Sequence, residues 1–410
     1  MLSFLRENIR WLAAGMLLTF CSSFGQTFFI AIYAQHIQTD FGLSDGSWGL
    51  IYTTGTAASA IVMIWAGSLT DRFRVRHLAS VVLPALALAC LAMAFLPAVW
   101  ALPIVVFALR LFGQGMTSQI AMVAMARWFD KNRGKALSLA SLGFSIGEAL
   151  LPLLFVALMR VVDWQVLWGV AALIAVTILP LVWILLRQER TPQSARETLS
   201  ATGMDNRHWS RAEVMRHWLF WSAVPCIIGI SAFVTAFFFQ QTHIVEIKGW
   251  QHIDLVALFP VYTGTAVLTV VLAGLATDRW GTAPMMGLFQ LPLAAAFIAM
   301  SYSESLAGAA LALVLMGMTT GCNSTLPSAF WAEFFGTRHI GSIKALAAAI
   351  MVLGSAVGPG LSGVLIDFGV GFERQLWWFG VYFLAASAIL GLGVRRAGQV
   401  RFASHSSFDA

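Results

Sequence analysis

Arg110 and Glu148 are charged side chains set deep within long apolar stretches of a 410-residue chain. A guanidinium or carboxylate turned to hydrocarbon costs several kcal/mol, so such groups are kept where they meet each other, water or a ligand. They lie at similar depths in neighbouring stretches, which predicts that they face each other. Two chemistries follow from that pairing. A permanent ion pair would relieve part of each desolvation cost and orient the two segments. In the other, Glu148 exchanges a proton while Arg110 holds an anionic ligand, since a carboxyl withdrawn from water is suited to proton uptake near neutral pH. If the two side chains never meet, neither chemistry needs the pair.

Uncharged polar residues in the apolar stretches are the next candidates. They are Gln26, Thr27 and Tyr33; Gln114, Thr117, Ser118 and Gln119; Gln240, Gln241 and His243; Asn323, Ser324 and Thr325. An amide facing lipid would be unsatisfied, so most of these must face protein or water. Hydrogen bonding between helices accounts for many of them without any ligand. His36 and His243 close two of the stretches; a histidine there either senses external pH or caps the interface.

The elements that carry these residues are transmembrane helices. Hydrophobic residues make up 59% of the chain and charged ones 11%, against about 25% charged in soluble domains. Twelve stretches reach the roughly 20 apolar residues a membrane helix needs: 11–35, 48–70, 78–97, 100–126, 136–160 and 165–187, then 218–242, 254–276, 284–302, 306–331, 342–367 and 375–395. The first is too long for a signal peptide and lacks a small-residue cleavage site. With the N-terminus in the cytoplasm, all of the 25 Lys and Arg except Arg110, Arg160, Lys248 and Arg374 fall in cytoplasmic segments, as the positive-inside rule requires. Both termini inside demands an even number of spans. The fold class expected is therefore an all-α membrane protein of twelve helices, residing in a plasma membrane such as a bacterial inner membrane. Cys21, Cys90, Cys226 and Cys322 are dispersed within apolar stretches, a pattern of packing residues rather than of a disulfide or metal site. Tryptophans near span ends (Trp48, Trp100, Trp128, Trp164, Trp218, Trp377 and Trp378 among them) read as interfacial anchors.

The chain also repeats. A shift of 207 positions lays Trp11-Leu12 on Trp218-Leu219, His36-Ile37 on His243-Ile244, Thr70-Asp71-Arg72 on Thr277-Asp278-Arg279, and Gly147 and Pro152 on Gly354 and Pro359. One ungapped register from the first span to the fifth implies two pseudo-symmetric six-helix halves, 1–187 and 218–397. A polar cytoplasmic linker, 188–217, joins them, and a tail, 398–410, follows. Parallel repeats of this kind place a substrate site near the midplane, at their seam.

Gly67-Ser-Leu-Thr-Asp71-Arg72-Phe-Arg74-Val-Arg76 resembles the loop 2–3 signature of the major facilitator superfamily, G-x-L-a-D-R-x-G-R-[KR], with Arg74 in place of the second glycine. Gly274-Leu-Ala-Thr-Asp278-Arg279-Trp-Gly281 resembles its counterpart between spans 8 and 9. The resemblance implies a cytoplasmic latch built from Gly67, Asp71, Arg72, Arg76, Gly274, Asp278 and Arg279, the glycines letting helices approach closely. Arg110-Leu-Phe-Gly113-Gln114-Gly115 is similar to the family's R-x-x-q-G-x-g motif, whose arginine is tied to proton coupling. Trp128-Phe-Asp130-Lys-Asn-Arg133-Gly134-Lys135 resembles the monocarboxylate-porter and oxalate/formate-porter branches; it adds Asp130 and Arg133 to the latch and implies organic-anion substrates. Drug antiporters carry G-x-x-x-G-P-x-x-G-G on span 5; here Glu148 replaces that proline. Spans 1, 4, 7 and 10 line the cavity in this family, which makes Gln26, Tyr33, Gln114, Gln240, Gln241, His243 and Asn323, with Arg110 and Glu148, the expected substrate and proton site.

No HExxH or Walker sequence occurs, so the residues supply no zinc-protease or ATP-pump motif; Gly143-Phe-Ser-Ile-Gly147 matches GxSxG but lies inside the apolar stretch 136–160, without the strand-to-helix turn that exposes such a serine. The expectation is a secondary carrier without cofactor, working as a monomer in the lipid bilayer with no nucleic-acid partner. It moves a small molecule by alternating access, as a proton-coupled symporter of an organic anion such as a monocarboxylate. Efflux by antiport of an organic or amphipathic compound is the alternative, and a transporter-like sensor a remote one.

Overall fold

The computed structural model describes residues 2–67, 69–129, 132–188 and 202–406. Among them no strand forms, and eleven helices are long and apolar enough to cross a membrane; a bent pair, Arg6–Gly25 with Thr27–Phe41, makes a twelfth span. The others are Asp45–Ala66, Val75–Ala94, Val99–Trp128, Gly134–Leu158 and Trp164–Leu185 (spans 2–6). Trp218–Phe239, His252–Thr277, Thr282–Tyr302, Leu306–Phe335, Ser342–Asp367 and Phe372–Ala397 are spans 7–12. The chain divides into two compact units: Met1–Arg196 with Phe237–Phe259 and Pro359–Asp367, and Glu197–Ala236 with Pro260–Gly358 and Phe368–Ala410.

Span 1 differs from the continuous helix expected over 11–35. Its axis bends by 49° at Gln26, whose backbone is extended (φ −85°, ψ 153°). A second irregularity lies at Tyr33 (φ −95°, ψ 0°), after which the helix Ala34–Phe41 runs to Gly42. The equivalent position in span 7, Gln240 (φ −88°, ψ 19°), breaks that helix before Gln241–Lys248. Gly42 and Gly249, again 207 apart, both cap their helices with positive φ, 62° and 66°, a conformation that glycine adopts without a Cβ penalty. The sequence repeat thus reappears in backbone geometry. Where it departs, geometry explains it: Gly281 needs φ 73°, while its counterpart Arg74 sits at φ −69°, open to any residue.

In the first unit span 6 lies along span 3 and span 1 along span 5. Edge-to-face contacts of Phe29 with Phe24, Tyr33, Phe155 and Trp168 fill the core. Trp48, Trp128 and Trp164 are buried rather than interfacial; Trp48 stacks on Phe239 at 5.7 Å. Trp100, Trp218, Trp377 and Trp378 are exposed, as anchoring requires. In the second unit, span 12 packs on spans 7 and 9 through Phe233, Phe297, Phe379 and Phe383.

The described end of the linker, from residue 202, is folded. Ser210 and Glu213 form a reciprocal capping box on the short helix Arg211–Arg216. The Ser210 hydroxyl, 2.6 Å from Glu213 Oε2, holds that carboxyl below its ordinary range. The Trp209 amide donates to the Phe335 carbonyl (3.1 Å), and the Arg207 guanidinium lies 3.8 Å from the Trp209 ring centroid. His217 Nδ1 accepts the Leu219 amide (3.2 Å) and so caps span 7.

Candidate functional site

Residues Leu109–Thr117 of span 4 form a π-helix, a widened turn that recurs at functional sites. It lies against the break in span 1, and the contact is backbone on backbone: a Cβ on Gly25 would collide with the Leu109 carbonyl and lie 2.8 Å from Gly113 Cα, and one on Gly113 would lie 2.6 Å from Gly25 Cα. Two glycines are what allow this approach. Because Phe29 donates its amide to Gln26 O, the Gly25 carbonyl is available to Arg110, whose Nη1 donates to it at 3.2 Å. The same nitrogen is 3.4 Å from Thr27 Oγ1, and Thr27 Oγ1 is 2.6 Å from the Tyr52 hydroxyl. The guanidinium carbon lies 5.4 Å from the Tyr52 ring centroid, within cation–π range.

Arg110 is 2% exposed, and its Nε has no hydrogen-bond partner. The ion pair expected with Glu148 is not among its contacts, nor does any other described carboxylate lie within ion-pair distance of it. The physical reason is rotation. Gly147 packs directly on Ser23 of span 1, which sets the face that span 5 presents, and half-buried Glu148 follows one residue round the helix. The π-turn meanwhile aims Arg110 at the span 1 break.

The other candidates separate. Gln26 and Gln114 are half-buried at the span 1 break and in the π-helix. Tyr33 is fully buried in the aromatic core, its hydroxyl unpartnered, which makes it packing rather than cavity lining. Gln240 is buried with its amide nitrogen unpartnered. Gln241 Nε2 donates to the Phe28 and Phe238 carbonyls (3.2 and 3.0 Å), and its Oε1 lies 3.2 Å from His252 Nε2. Asn323 is half-buried on span 10, in the second unit.

A second cluster, which sequence reasoning misses, surrounds His243. Its Nδ1 lies 3.2 Å from Asp45 Oδ2, and Gln38 Nε2 donates to Asp45 Oδ1 (3.0 Å). Asp367, from the end of span 11, accepts the Ser44 hydroxyl (2.6 Å) and the Gly46 amide (3.1 Å). Gly46 and Gly49 of span 2 press on residues 359–367 without room for a Cβ. Equivalent His36 is exposed and makes no such pair.

Of the expected cytoplasmic latch, Asp130 and the side chains of Asp71, Arg133 and Asp278 lie outside the described residues. Around them, Arg127 Nη1 donates to the Thr70 carbonyl (3.0 Å) and Arg76 lies 5.2 Å from the Trp183 ring centroid. Arg72 is exposed, and Arg279 is exposed beside Trp280. In the second unit the loop is held with opposite polarity, Glu333 Oε2 accepting the Thr282 amide and hydroxyl (3.2 and 2.7 Å). Among the described residues, a Cβ at Gly67 would meet the Met63 carbonyl and one at Gly274 nothing within 4 Å.

Solved structures share this architecture. A bacterial homolog of the human lysosomal transporter Spinster, inward-facing and unoccupied, is 18% identical with a TM-score of 0.71, over 95% of this chain and 98% of its own. Its occupied form gives 17%, 0.67, and 96% of each chain. The nucleoside transporter NupG, solved as a point mutant, gives 11%, 0.68, 94% and 99%. Among curated protein sequences none matches significantly. The sequence profile of the Major Facilitator Superfamily matches residues 15–359 and 242–404; with the twelve-span fold and the duplicated loop signature in agreement, this chain belongs to that superfamily of membrane transporters.

Proposed function

We propose that the protein is a secondary transporter with both termini cytoplasmic and two six-helix halves, and that it couples protons to the movement of a small organic anion. The observation that carries this is Arg110. A buried guanidinium satisfied by one carbonyl, one hydroxyl and a ring, and by no carboxylate, keeps most of its desolvation cost. A substrate carboxylate would complete it, with Thr27 and Tyr52 as neutral hydrogen-bonding neighbours and Gln26 and Gln114 close by on the same elements. Glu148, on a separate helix, then serves as the proton carrier. A nucleoside transporter has the same fold, but an uncharged solute would leave Arg110 uncompensated, which favours an anion. The Asp45–His243 and Asp367 contacts join spans 2, 7 and 11 at one end, the arrangement expected of a gate that opens and closes during alternating access.

Purified protein in liposomes with a trapped pH dye tests this against a panel of small carboxylates. Substrate-dependent proton entry that Arg110→Ala and Glu148→Gln both abolish, while still eluting as folded protein, is the expected result. Carboxylate flux that moves no protons removes the symport reading. Absence of carboxylate flux directs the search to efflux of amphipathic compounds, and binding without flux of any kind identifies a sensor.

A further inference from the structure

Span 9 ends at Tyr302 and span 12 begins at Phe372, and between these two helix ends lies an open groove of about 460 Å³ lined by Ser301, Tyr302, Glu373, Arg374, Trp377 and Trp378. We propose that this groove seats the headgroup of a zwitterionic aminophospholipid, with its phosphate on Arg374 and its ammonium on Glu373.

Glu373 and Arg374 are consecutive on a helix and therefore do not face each other; they present opposite charges side by side to the groove. That is the charge pattern of a headgroup in which an ammonium and a phosphate are two carbons apart. A purely anionic headgroup would meet the Glu373 carboxylate. Trp377 lies three residues from Arg374 and four from Glu373, so it sits one turn, about 5.4 Å, deeper on the same face. Trp378 and Tyr302 flank it, each well exposed, at the level where indole and phenol rings meet the glycerol region of a bilayer. Below the aromatics the stripe continues through exposed Val381, Leu384, Ile389 and Leu392, a track for an acyl chain. This continuity into an apolar face argues for a lipid rather than a soluble phosphate. Glu373 and the Ser301 hydroxyl accept hydrogen bonds, which favours a primary ammonium over a quaternary one.

Native mass spectrometry of the full chain tests the assignment by titrating phosphatidylethanolamine, phosphatidylcholine and phosphatidylglycerol with matched acyl chains. Phosphatidylethanolamine should bind about tenfold more tightly than the other two. Arg374→Gln should weaken all three, whereas Glu373→Gln should weaken phosphatidylethanolamine and, by removing the like charge, strengthen phosphatidylglycerol. Trp100→Ala, a change at a different exposed tryptophan, should alter none of them. Quenching of Trp377 and Trp378 fluorescence by brominated acyl chains, lost in a Trp377→Phe, Trp378→Phe variant, reads the same site in reconstituted vesicles. Equal affinity for the three lipids would overturn the proposal, as would wild-type behaviour of both charge variants. Displacement of the lipid by water-soluble phosphoethanolamine at equal concentration would overturn the lipid assignment in favour of a free headgroup.

Discussion

Arg110 makes three weak contacts through one geometry, and each depends on the shape of a guanidinium. Lysine would keep the charge but could not reach the Gly25 carbonyl and lie over the Tyr52 ring at once. Arg110→Lys should therefore fold and still lose at least about tenfold in transport rate, since a positioned charge rather than charge alone is needed; liposome flux measures it. A second residue-scale prediction concerns pH. Burial lowers the pKa of His217 below its usual value, and its Nδ1 is the acceptor that caps span 7. The neutral form is thus the folded form. Stability from this cap is complete above about pH 6.5 and is lost as pH falls through the lowered folded-state pKa. Amide exchange at Leu219 should rise over that window. His217→Asn, which caps without titrating there, should flatten the dependence.

At the scale of elements, the span 1–span 4 crossing is set by two glycines in direct backbone contact. Gly113→Ala or Gly25→Ala should force these segments apart and cost about 1–3 kcal/mol, the range for overpacking, with transport lost because Arg110 moves with the π-turn. Gly274→Ala, facing open space on a helix, should be neutral or slightly stabilising. Thermal unfolding in detergent compares the three. In each repeat a glycine at the same offset packs span 5 or 11 on span 1 or 7: Gly147 on Ser23, and Gly354 on Ile228 and Ser231. The duplicated sequence therefore builds the same helix contact twice, while the hydrogen bonds that hold the loops have diverged, Arg127 giving to Thr70 and Glu333 taking from Thr282.

For the molecule as a whole, alternating access needs contacts that can be released. Asp45 with His243, and Asp367 with Ser44 and Gly46, are polar contacts at the ends of otherwise apolar spans, and so are cheaper to open than packed aromatics. Asp45→Asn should raise amide exchange over residues 36–45 and 241–249 and change the maximal transport rate more than the fold. Exchange unaltered from wild type would mean that this contact holds nothing shut.

Twelve spans, the 207-residue repeat and the superfamily are legible in the sequence, because hydropathy and register are properties of order along a chain. Gly42 and Gly249 show how far that reaches, since one repeat register carries through to one backbone conformation. The side-chain partners are not legible. Depth alone predicts that Arg110 meets Glu148, but depth is only one coordinate; the rotation of each helix decides which neighbour a side chain meets. That rotation is set by the Gly25–Gly113 contact, by the π-turn and by the seat of Gly147 on Ser23, all of them features of three-dimensional packing. Asp45 escapes notice for the same reason, because its meaning comes from His243, 198 positions away, and only folding brings the two together.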